Sequence, residues 1–465
     1  MFFRSREVTA HWDTWMYLNE GNFYLYYMIT EEHTNGSGFG VATSPDGVTW
    51  TDHGWAIRAS DKMVTYCGTG AVWKSGDYDQ SRRFICNYSE WRKDNDGNET
   101  QNILFAWSED LVHWTKYGDE FIFKIDRRWY DRYGRWDCIS PLPRRDGGYY
   151  GYWTATPKQH VGIGFGQSSD GLHWEALPAP ELIWNDQQIP DAMEAEDSLT
   201  AMEAGAVEKL GDTYYAMVGL PAARAIRTMI AAEPAGPFTV AAKNYGLMEN
   251  SGRHNHTYFA RFLRVTDGLL VNHHAITRRD NGRGSAICYF APLKEALVDR
   301  EGTLWLAYWR GNDQLKKQAV PLAFSKRHTG RVRLAGENLN TARGIVVEGV
   351  LVLPEGEKSI ETWPGLYIAC DDGQGSNILV GADGVTHFGL VRGPQASVET
   401  EDRMAREWPF GQTVHFRLLL KESVLEFYLD DIYIQSYSLP TAATGLIGVI
   451  GSASEVSEVT AWTTG

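Results

Sequence analysis

The chain has 465 residues, a formal net charge of −15 and a sequence pI near 5.4. This acidity argues against binding to nucleic acid or to an anionic membrane, because phosphate-binding surfaces need clustered lysine and arginine. The length predicts two domains. The 18 Trp, 23 Tyr, 18 Phe and 47 Gly favour aromatic-rich strands joined by tight turns, so we predict an all-β chain.

The cellular compartment is predicted from cysteine usage and from the chain start. The five cysteines, at positions 67, 86, 138, 288 and 370, show no CxxC spacing, which is typical of thiols in a reducing compartment. The first residues, "MFFRSREVTAHWD", lack the pattern of a signal peptide, and no long apolar run suggests a membrane span. We therefore expect a cytoplasmic protein.

A repeat of about 60 residues runs through the first two thirds of the chain. "SPDGVTW", "SEDLVHW" and "SSDGLHW" each have Ser-x-Asp followed by a tryptophan, and these are Trp50, Trp114 and Trp174. The alternating strand "GNFYLYYM" recurs as "SRRFICNY", "GGYYGYW", "GDTYYAM" and "DGLLVNHH". Five such copies predict a five-bladed β-propeller over residues 1–320.

The remaining residues, 325–465, lack this repeat. Short alternating strands such as "VVEGVLVL" and "VLEFYLDDIYIQSYSL" predict a C-terminal β-sandwich. Its expected role is structural, packing on the propeller or holding a possible homo-oligomer together.

Three carboxylates occupy one repeated position before the aromatic strand. Asp13 and Glu203 each lie eight residues before a turn glycine, and Asp137 lies ten residues before Gly147. In a propeller this position belongs to the innermost strand of a blade, so the three should converge at the mouth of the central channel. The same position in blade two, "CGTGAVW", has small residues, which we expect to leave room for a ligand.

Two carboxyl groups flanking one bond are what glycosidic cleavage needs, one protonated and one ionised. Crowded carboxylates cannot all ionise easily, so one pKa should rise. We expect that group to be Glu203, because its sequence neighbours are uncharged. Glu194, Glu196 and Asp197 are alternatives that we interpret as an acidic loop.

These residues resemble the five-bladed propeller glycoside hydrolases over roughly residues 8 to 320. That superfamily comprises the invertase and levanase family (family 32) and the arabinanase, α-L-arabinofuranosidase and β-xylosidase family (family 43). The resemblance implies that Asp13 is the nucleophile or base and that Glu203 is the acid/base. It also implies that Arg135 and Asp137, in "RWD", bind the sugar and stabilise the transition state.

The motifs depart from the invertase pattern at each carboxylate. Pro and Asn do not follow Asp13, Trp136 separates Arg135 from Asp137, and "MEAG" stands where the family has Glu-Cys. The donor sugar and the retaining or inverting outcome therefore stay open.

Further candidates would bind the sugar around the carboxylates. Trp12, Trp73, Trp136 and Trp153 could stack on sugar faces or pack between blades. Polar groups expected to reach the sugar are Thr69, Arg135, His254 and His256. We expect no metal and no organic cofactor, although His254, His256, His273 and His274 leave a channel metal as an alternative.

The expected function is an exo-acting glycoside hydrolase that releases a terminal furanosyl unit from a small oligosaccharide, with fructofuranosides ahead of arabinofuranosides. Two alternatives from other classes are a propeller phosphorylase, for which Arg253, Arg278, Arg279 and Arg283 could bind phosphate, and a carbohydrate-binding protein without catalysis.

Overall fold

The computed structural model describes most of the chain. The described residues are 2–5, 12–30, 37–60, 64–68, 70–93, 97–159, 161–184, 202–220, 225–248, 255–256, 259–277, 287–324, 326–327, 330–356, 358–371, 375–392 and 397–464. No helix among them is long and apolar enough to span a bilayer. All five cysteines are buried.

Blades one to three are antiparallel sheets in which the strands follow chain order from the inner to the outer edge. Blade one has β1 Trp12–Asn19, β2 Asn22–Thr30, β3 Ser37–Ser44 and β4 Thr51–Arg58. Blade two has β5 Val64–Gly68, β6 Val72–Lys74, β7 Phe84–Lys93, β8 Glu99–Ser108 and β9 Thr115–Lys116. Blade three has β10 Trp136–Pro143, β11 Tyr149–Ala155, β12 Gly164–Ser168 and β13 Trp174–Leu177.

Blades four and five have the same inner hairpin and more broken outer strands. Blade four has β14 Leu182–Ile183, β15 Glu203–Leu210, β16 Thr213–Leu220, β17 Ala225–Ala231, β18 Phe238–Val240 and β19 Gly246–Met248. Blade five has β20 Asn255–His256, β21 Ala260–Val265, β22 Gly268–Thr277, β23 Ile287–Phe290, β24 Lys294–Val298 and β25 Leu304–Tyr308.

A two-sheet sandwich follows, and its strands are β26 Gln318–Pro321, β27 Lys326–Arg327, β28 Val332–Asn338, β29 Ile345–Val352, β30 Gly365–Cys370, β31 Gly375–Val380, β32 Thr386–Arg392, β33 Ser397–Met404, β34 Thr413–Lys421, β35 Val424–Leu429, β36 Ile432–Ser438, β37 Ala443–Ile450 and β38 Val456–Thr463. One sheet has the order β36-β35-β34-β29-β38-β26, and the other has β27-β28-β37-β30-β31-β32-β33. Because β26 pairs with β38, the sandwich sheet takes in residues from Gln318 onward.

Helical structure among the described residues is limited to single short turns at the ends of strands. These are α1 Tyr78–Ser81 and the 3₁₀ turns Asp119–Phe121, Arg310–Leu315, Ile360–Thr362 and Ala382–Gly384. The predicted five-bladed propeller and C-terminal β-sandwich are confirmed.

The repeated Ser-x-Asp motif forms the loop between the third and fourth strands of a blade. Asp46 Oδ1 accepts the backbone N–H groups of Val48 and Thr49 at 2.8 and 2.7 Å, and the Ser44 hydroxyl donates to the same oxygen. Asp110 and Asp170 repeat this pattern in blades two and three. The motif therefore satisfies backbone donors that would otherwise be exposed at the loop.

The repeated tryptophans pack each blade against the preceding one. Trp114 of blade two meets Tyr26 of blade one, with ring centroids 5.9 Å apart, and Trp174 of blade three meets Trp73 at 6.1 Å. Trp50 of blade one meets Phe290 of blade five at 5.3 Å. The last contact closes the ring.

Blade five continues into the sandwich across a buried charge cluster. The β25 strand pairs with β36, and the Lys294 ammonium binds the Glu426 carboxylate with both side chains fully buried. Burial alone would raise the pKa of Glu426, but Lys294 and His273 outweigh it and hold the pKa well below its ordinary value. The Tyr428 hydroxyl donates to the second Glu426 oxygen at 2.7 Å. The two domains are therefore joined by paired charges as well as by a shared sheet.

Breaking this ion pair should destabilise the whole chain. Lys294→Met leaves the buried Glu426 carboxylate without its cation, and we expect a loss of about 3–5 kcal/mol in the free energy of unfolding. The double variant Lys294→Met/Glu426→Gln should lose clearly less, since glutamine is neutral and still accepts the Tyr428 hydrogen bond. Urea midpoints of both variants measure this, and equal losses would mean that packing rather than charge is at stake.

Candidate active site

The three carboxylates all lie at irregularities of inner strands. In blade one the register with β2 shifts between Trp12 and Trp15, and in blade three the register with β11 shifts between Asp137 and Ser140. In blade four it shifts just after Glu203, between Ala204 and Ala206. Each strand gains one residue there, and such bulges redirect side chains next to functional sites.

Each bulge is held by a polar side chain from the second strand of the preceding blade. The Asn272 amide of blade five donates to the Thr14 carbonyl oxygen at 2.9 Å. The Asn87 amide exchanges two hydrogen bonds with the backbone of Ile139, and the Ala204 N–H donates to the Thr154 hydroxyl oxygen at 3.1 Å. The held residue follows Asp13, Asp137 or Glu203 by one or two positions, so these contacts fix where the carboxylates stand.

Arg135 brings the carboxylates of blades three and four together. Its Nη1 donates to Glu203 Oε1 at 2.9 Å and its Nη2 donates to Asp137 Oδ2 at 3.1 Å. Burial alone would lower the pKa of Arg135, but Glu203 and Asp137 outweigh it and raise that pKa well above the ordinary value. The guanidinium is therefore a permanent positive charge between two nearly buried carboxylates.

Asp137 and Glu203 are further fixed by hydrogen bonds to their second oxygens. The Ser89 hydroxyl and the Cys138 thiol donate to Asp137 Oδ1. The Thr154 hydroxyl donates to Glu203 Oε2 at 2.8 Å. Both carboxylates are thus oriented by neighbours on two sides, which is the preorganisation that a reacting group needs.

Asp13 lies in a different environment. It is half-buried with a positive φ of 47°, and the Tyr66 hydroxyl of blade two donates to its Oδ2 at 3.0 Å. Burial, followed by the negative charges of Glu203 and Asp137, raises the pKa of Asp13 to about 7, against the opposing effects of Arg261 and Tyr66. Asp13 therefore exchanges its proton near neutral pH.

The sequence predicts one raised carboxyl pKa in the cluster, and the structure places a raised pKa on Asp13. Sequence neighbours do not determine spatial ones: Glu203 meets the Arg135 charge from blade three, whereas Asp13 faces two other carboxylates.

A second cation, Arg261, lies in the inner strand of blade five and was missed by the sequence analysis. Its side chain is fully buried, with the guanidinium carbon 4.1 Å from the Trp15 ring centroid and close to the Phe259 ring. Burial lowers the pKa of Arg261 to about 9, although Cys138, Asp13 and the other two carboxylates oppose this. Nothing in "FARFLRV" distinguishes this arginine from an ordinary strand residue.

The predicted sugar-binding role is wrong for Trp73, Trp136 and Trp153, which are all buried. Trp136 is fully buried, packs against Phe123, Tyr130 and Trp153, and donates its ring N–H to the Phe123 carbonyl oxygen at 2.9 Å. Trp73 is 4% exposed and packs between blades two and three. Neither Trp73 nor Trp136 has a ring face available to a sugar, because inner-strand alternation turns the residue beside a channel-facing one into the core.

The remaining candidates are placed only in part. Arg135 lies in the site, and Trp12 and His256 belong to β1 and β20, with their side chains outside the described part of the structure. Thr69 and His254 lie outside the described residues, as do the acidic-loop residues Glu194, Glu196 and Asp197 and the arginines considered for phosphate, Arg253, Arg278, Arg279 and Arg283.

The small residues of blade two serve neighbouring side chains. A Cβ on Gly68 would lie 2.6 Å from the Tyr66 hydroxyl, and a Cβ on Gly70 would lie 2.3 Å from Asn87 Oδ1. The space that we expected to be left for a ligand is thus filled at these two positions by Tyr66, which contacts Asp13, and by Asn87, which holds blade three.

Among the described residues no group of three or more His, Cys, Asp and Glu side chains could hold a metal ion. His273 lies by Glu426 at the sandwich, and His274 stacks on Phe259.

Comparison by sequence finds no matching protein-family profile and no matching curated protein. Comparison of structures finds the GH32 β-fructofuranosidase of Bombyx mori, with 14% identity, a TM-score of 0.70 and coverage of 100% of this chain and 93% of that chain. The chain has the family 32 glycoside hydrolase fold. The exo-inulinase of Aspergillus awamori matches with 11% identity, a TM-score of 0.71 and coverage of 100% and 98%. The fructan 1-exohydrolase IIa of Cichorium intybus in complex with 1-kestose matches with 14% identity, a TM-score of 0.70 and coverage of 100% of this chain and 96% of that chain.

The raised pKa of Asp13 should make its neutral isostere stabilising. The folded chain keeps a proton that the unfolded chain releases above pH 3.8, so this group's contribution to stability falls as the pH rises towards about 7. Asp13→Asn removes that cost, and we expect a gain on the order of 2–4 kcal/mol at pH 8 that vanishes near pH 4. Melting temperatures across this range measure the gain. Glu20→Gln, in the adjoining exposed hairpin, is the control, and a gain independent of pH would contradict the explanation.

Proposed function

We propose that the protein is an exo-acting glycoside hydrolase that releases a terminal furanosyl unit, as a β-fructofuranosidase does, from small oligosaccharides. One observation carries this: Asp13, Asp137 and Glu203 come from three blades into one group of interacting charges, and Arg135 binds the last two. The names of the structurally similar proteins support the donor sugar, since they are a β-fructofuranosidase, an exo-inulinase and a fructan exohydrolase bound to 1-kestose.

In the proposed mechanism Asp13 attacks the anomeric carbon or activates water, and Glu203 protonates the leaving oxygen. These two roles need one proton between two carboxyl groups. Burial and the charges of Glu203 and Asp137 raise the pKa of Asp13 to about 7, so the cluster can hold a proton near neutral pH. For reaction that proton must be on Glu203, and protons of strongly interacting groups belong to the group as a whole.

Arg135 and Asp137 would act on the sugar without exchanging protons. Arg135 joins Asp137 to Glu203, so a sugar hydroxyl held by Asp137 would be positioned relative to the acid. Positive charge fixed between these carboxylates also limits their repulsion while charge develops on the donor ring.

Hydrolysis of a substrate panel tests the proposal. The panel contains sucrose, 1-kestose, short arabino-oligosaccharides and 4-nitrophenyl furanosides and pyranosides, each with and without phosphate. We expect fructose to be released from sucrose or 1-kestose. NMR identifies which anomer of fructose is formed first. Retention assigns Asp13 as nucleophile and inversion assigns it as base. Activity only on arabinosides or xylosides would contradict the donor, dependence on phosphate would indicate a phosphorylase, and silence throughout would favour a binding protein.

The acid role of Glu203 is tested by the leaving group. Glu203→Gln keeps the contacts with Arg135 and Thr154 possible but cannot donate the catalytic proton. We expect turnover of sucrose-type substrates to fall by about two to four orders of magnitude, and turnover of a 4-nitrophenyl glycoside to fall much less because its leaving group needs no proton. Glu208→Gln, on the same strand, is the control. Equal losses on both substrates would refute the assignment.

A further inference from the structure

A cleft of about 430 Å³ lies where the N-terminal segment, blade one and the sandwich meet. We call it the basic cleft and define it by its four charged residues, Arg4, Lys317, Arg343 and Lys421. No aspartate or glutamate is among its lining residues in the described part of the chain. In a chain with 59 acidic and 44 basic residues, a cleft whose charged lining residues are all cations calls for an explanation.

Three of the four cations have no counter-ion among the described residues. Arg4, Lys317 and Arg343 form no side-chain ion pair or hydrogen bond with any described residue, whereas the adjacent Lys316 binds Asp313 and Glu348 at 2.8 and 2.7 Å. Lys421 donates to the Phe2 carbonyl oxygen at 3.0 Å, and burial and Arg4 lower its pKa against the opposing charge of Glu422. Cations without a counter-ion, such as Arg4, Lys317 and Arg343 among the described residues, attract an anion.

The basic cleft is separate from the carboxylates. Its wall from blade one is Val48 to Trp50, in the loop between β3 and β4. Because β1, β2 and β3 are antiparallel, this loop lies at the end of the blade opposite to Asp13. A strand of this length spans roughly 20–25 Å, so a ligand here would not touch the proposed reacting groups.

We propose that the basic cleft binds a phosphorylated monosaccharide. The cations suit a phosphate dianion, with two arginines able to bind it through paired N–H groups. The half-buried rings of Phe3 and Trp50, with centroids 6.0 Å apart, supply an apolar wall of the kind on which sugar rings stack. The volume lies within the range of about 300–1,000 Å³ typical of small-molecule sites.

Binding at this place would link the two domains. Arg4 belongs to the N-terminal segment, Lys317 to the connection before β26, and Arg343 and Lys421 to the sandwich. These segments meet only when the domains are docked, so a ligand bridging them stabilises the docked chain by mass action. The proposal does not depend on the hydrolase activity, because binding is measured without turnover.

Isothermal titration calorimetry with the full chain tests the proposal, using fructose 6-phosphate, glucose 6-phosphate, inorganic phosphate and fructose as probes. We expect at least one hexose phosphate to bind more tightly than inorganic phosphate, fructose to give no heat from this cleft, and the melting temperature to rise with the hexose phosphate. Arg343→Glu and Lys317→Glu, both at exposed positions, should each weaken binding about tenfold or more.

Arg145→Glu is the matched control, since Arg145 is an exposed arginine in the hairpin of blade three. It should bind the hexose phosphate as the unchanged chain does. Equal affinity for inorganic phosphate and hexose phosphate would identify a bare-anion site and overturn the sugar assignment. Absence of binding, or binding that survives both Arg343→Glu and Lys317→Glu, would overturn the proposed site itself.

Discussion

The candidate active site depends on the hydrogen bonds that a side chain of one blade makes to the inner strand of the next. Asn272, Asn87 and Thr154 each reach from a second strand to the bulge that follows a carboxylate in the neighbouring blade. A bulge leaves backbone groups without ladder partners, and buried groups of this kind need hydrogen bonds from elsewhere. The site therefore exists only in the closed ring, since no blade both carries a carboxylate and holds its own bulge.

The electrostatics of the site follow from this enforced proximity. Three carboxylates meet the fully buried Arg261 and the partly exposed Arg135, and Arg135 is paired with Asp137 and Glu203. Asp13 meets Arg261 and accepts a hydrogen bond from Tyr66, but burial and the two other carboxylates outweigh both and raise its pKa. The rest of the fold thus compensates for the unfavourable burial of the Asp13 carboxyl, as it commonly does for strained or desolvated functional residues.

The fold could be predicted because the Ser-x-Asp motif and the aromatic strand repeat along the chain. The carboxylates could be predicted because they occupy the same position in three of these repeats. The ten-residue spacing of Asp137, against eight for Asp13, reflects only a longer hairpin loop between β10 and β11. The contacts of Asp13 with Tyr66 and Arg261, and of Glu203 with Arg135, could not be predicted from the sequence. Contacts between side chains of different blades depend on the β-bulges, and no local sequence pattern indicates where these occur. Trp136 was misassigned because it lies beside Asp137 in the sequence, whereas its side chain is buried in the core.

The structure also explains how this fold can persist at 11–14% identity to solved enzymes. A blade requires alternating apolar residues, a loop that satisfies its own donors and one polar side chain to hold the next bulge, and many sequences meet these demands. The residues after Asp13 can then change, provided that Thr14 still offers its carbonyl oxygen to Asn272. The fold constrains the hydrogen bond from the neighbouring blade and not the identity of the residues beside the carboxylate. Sequence identity between chains can therefore fall while the arrangement of charges is kept.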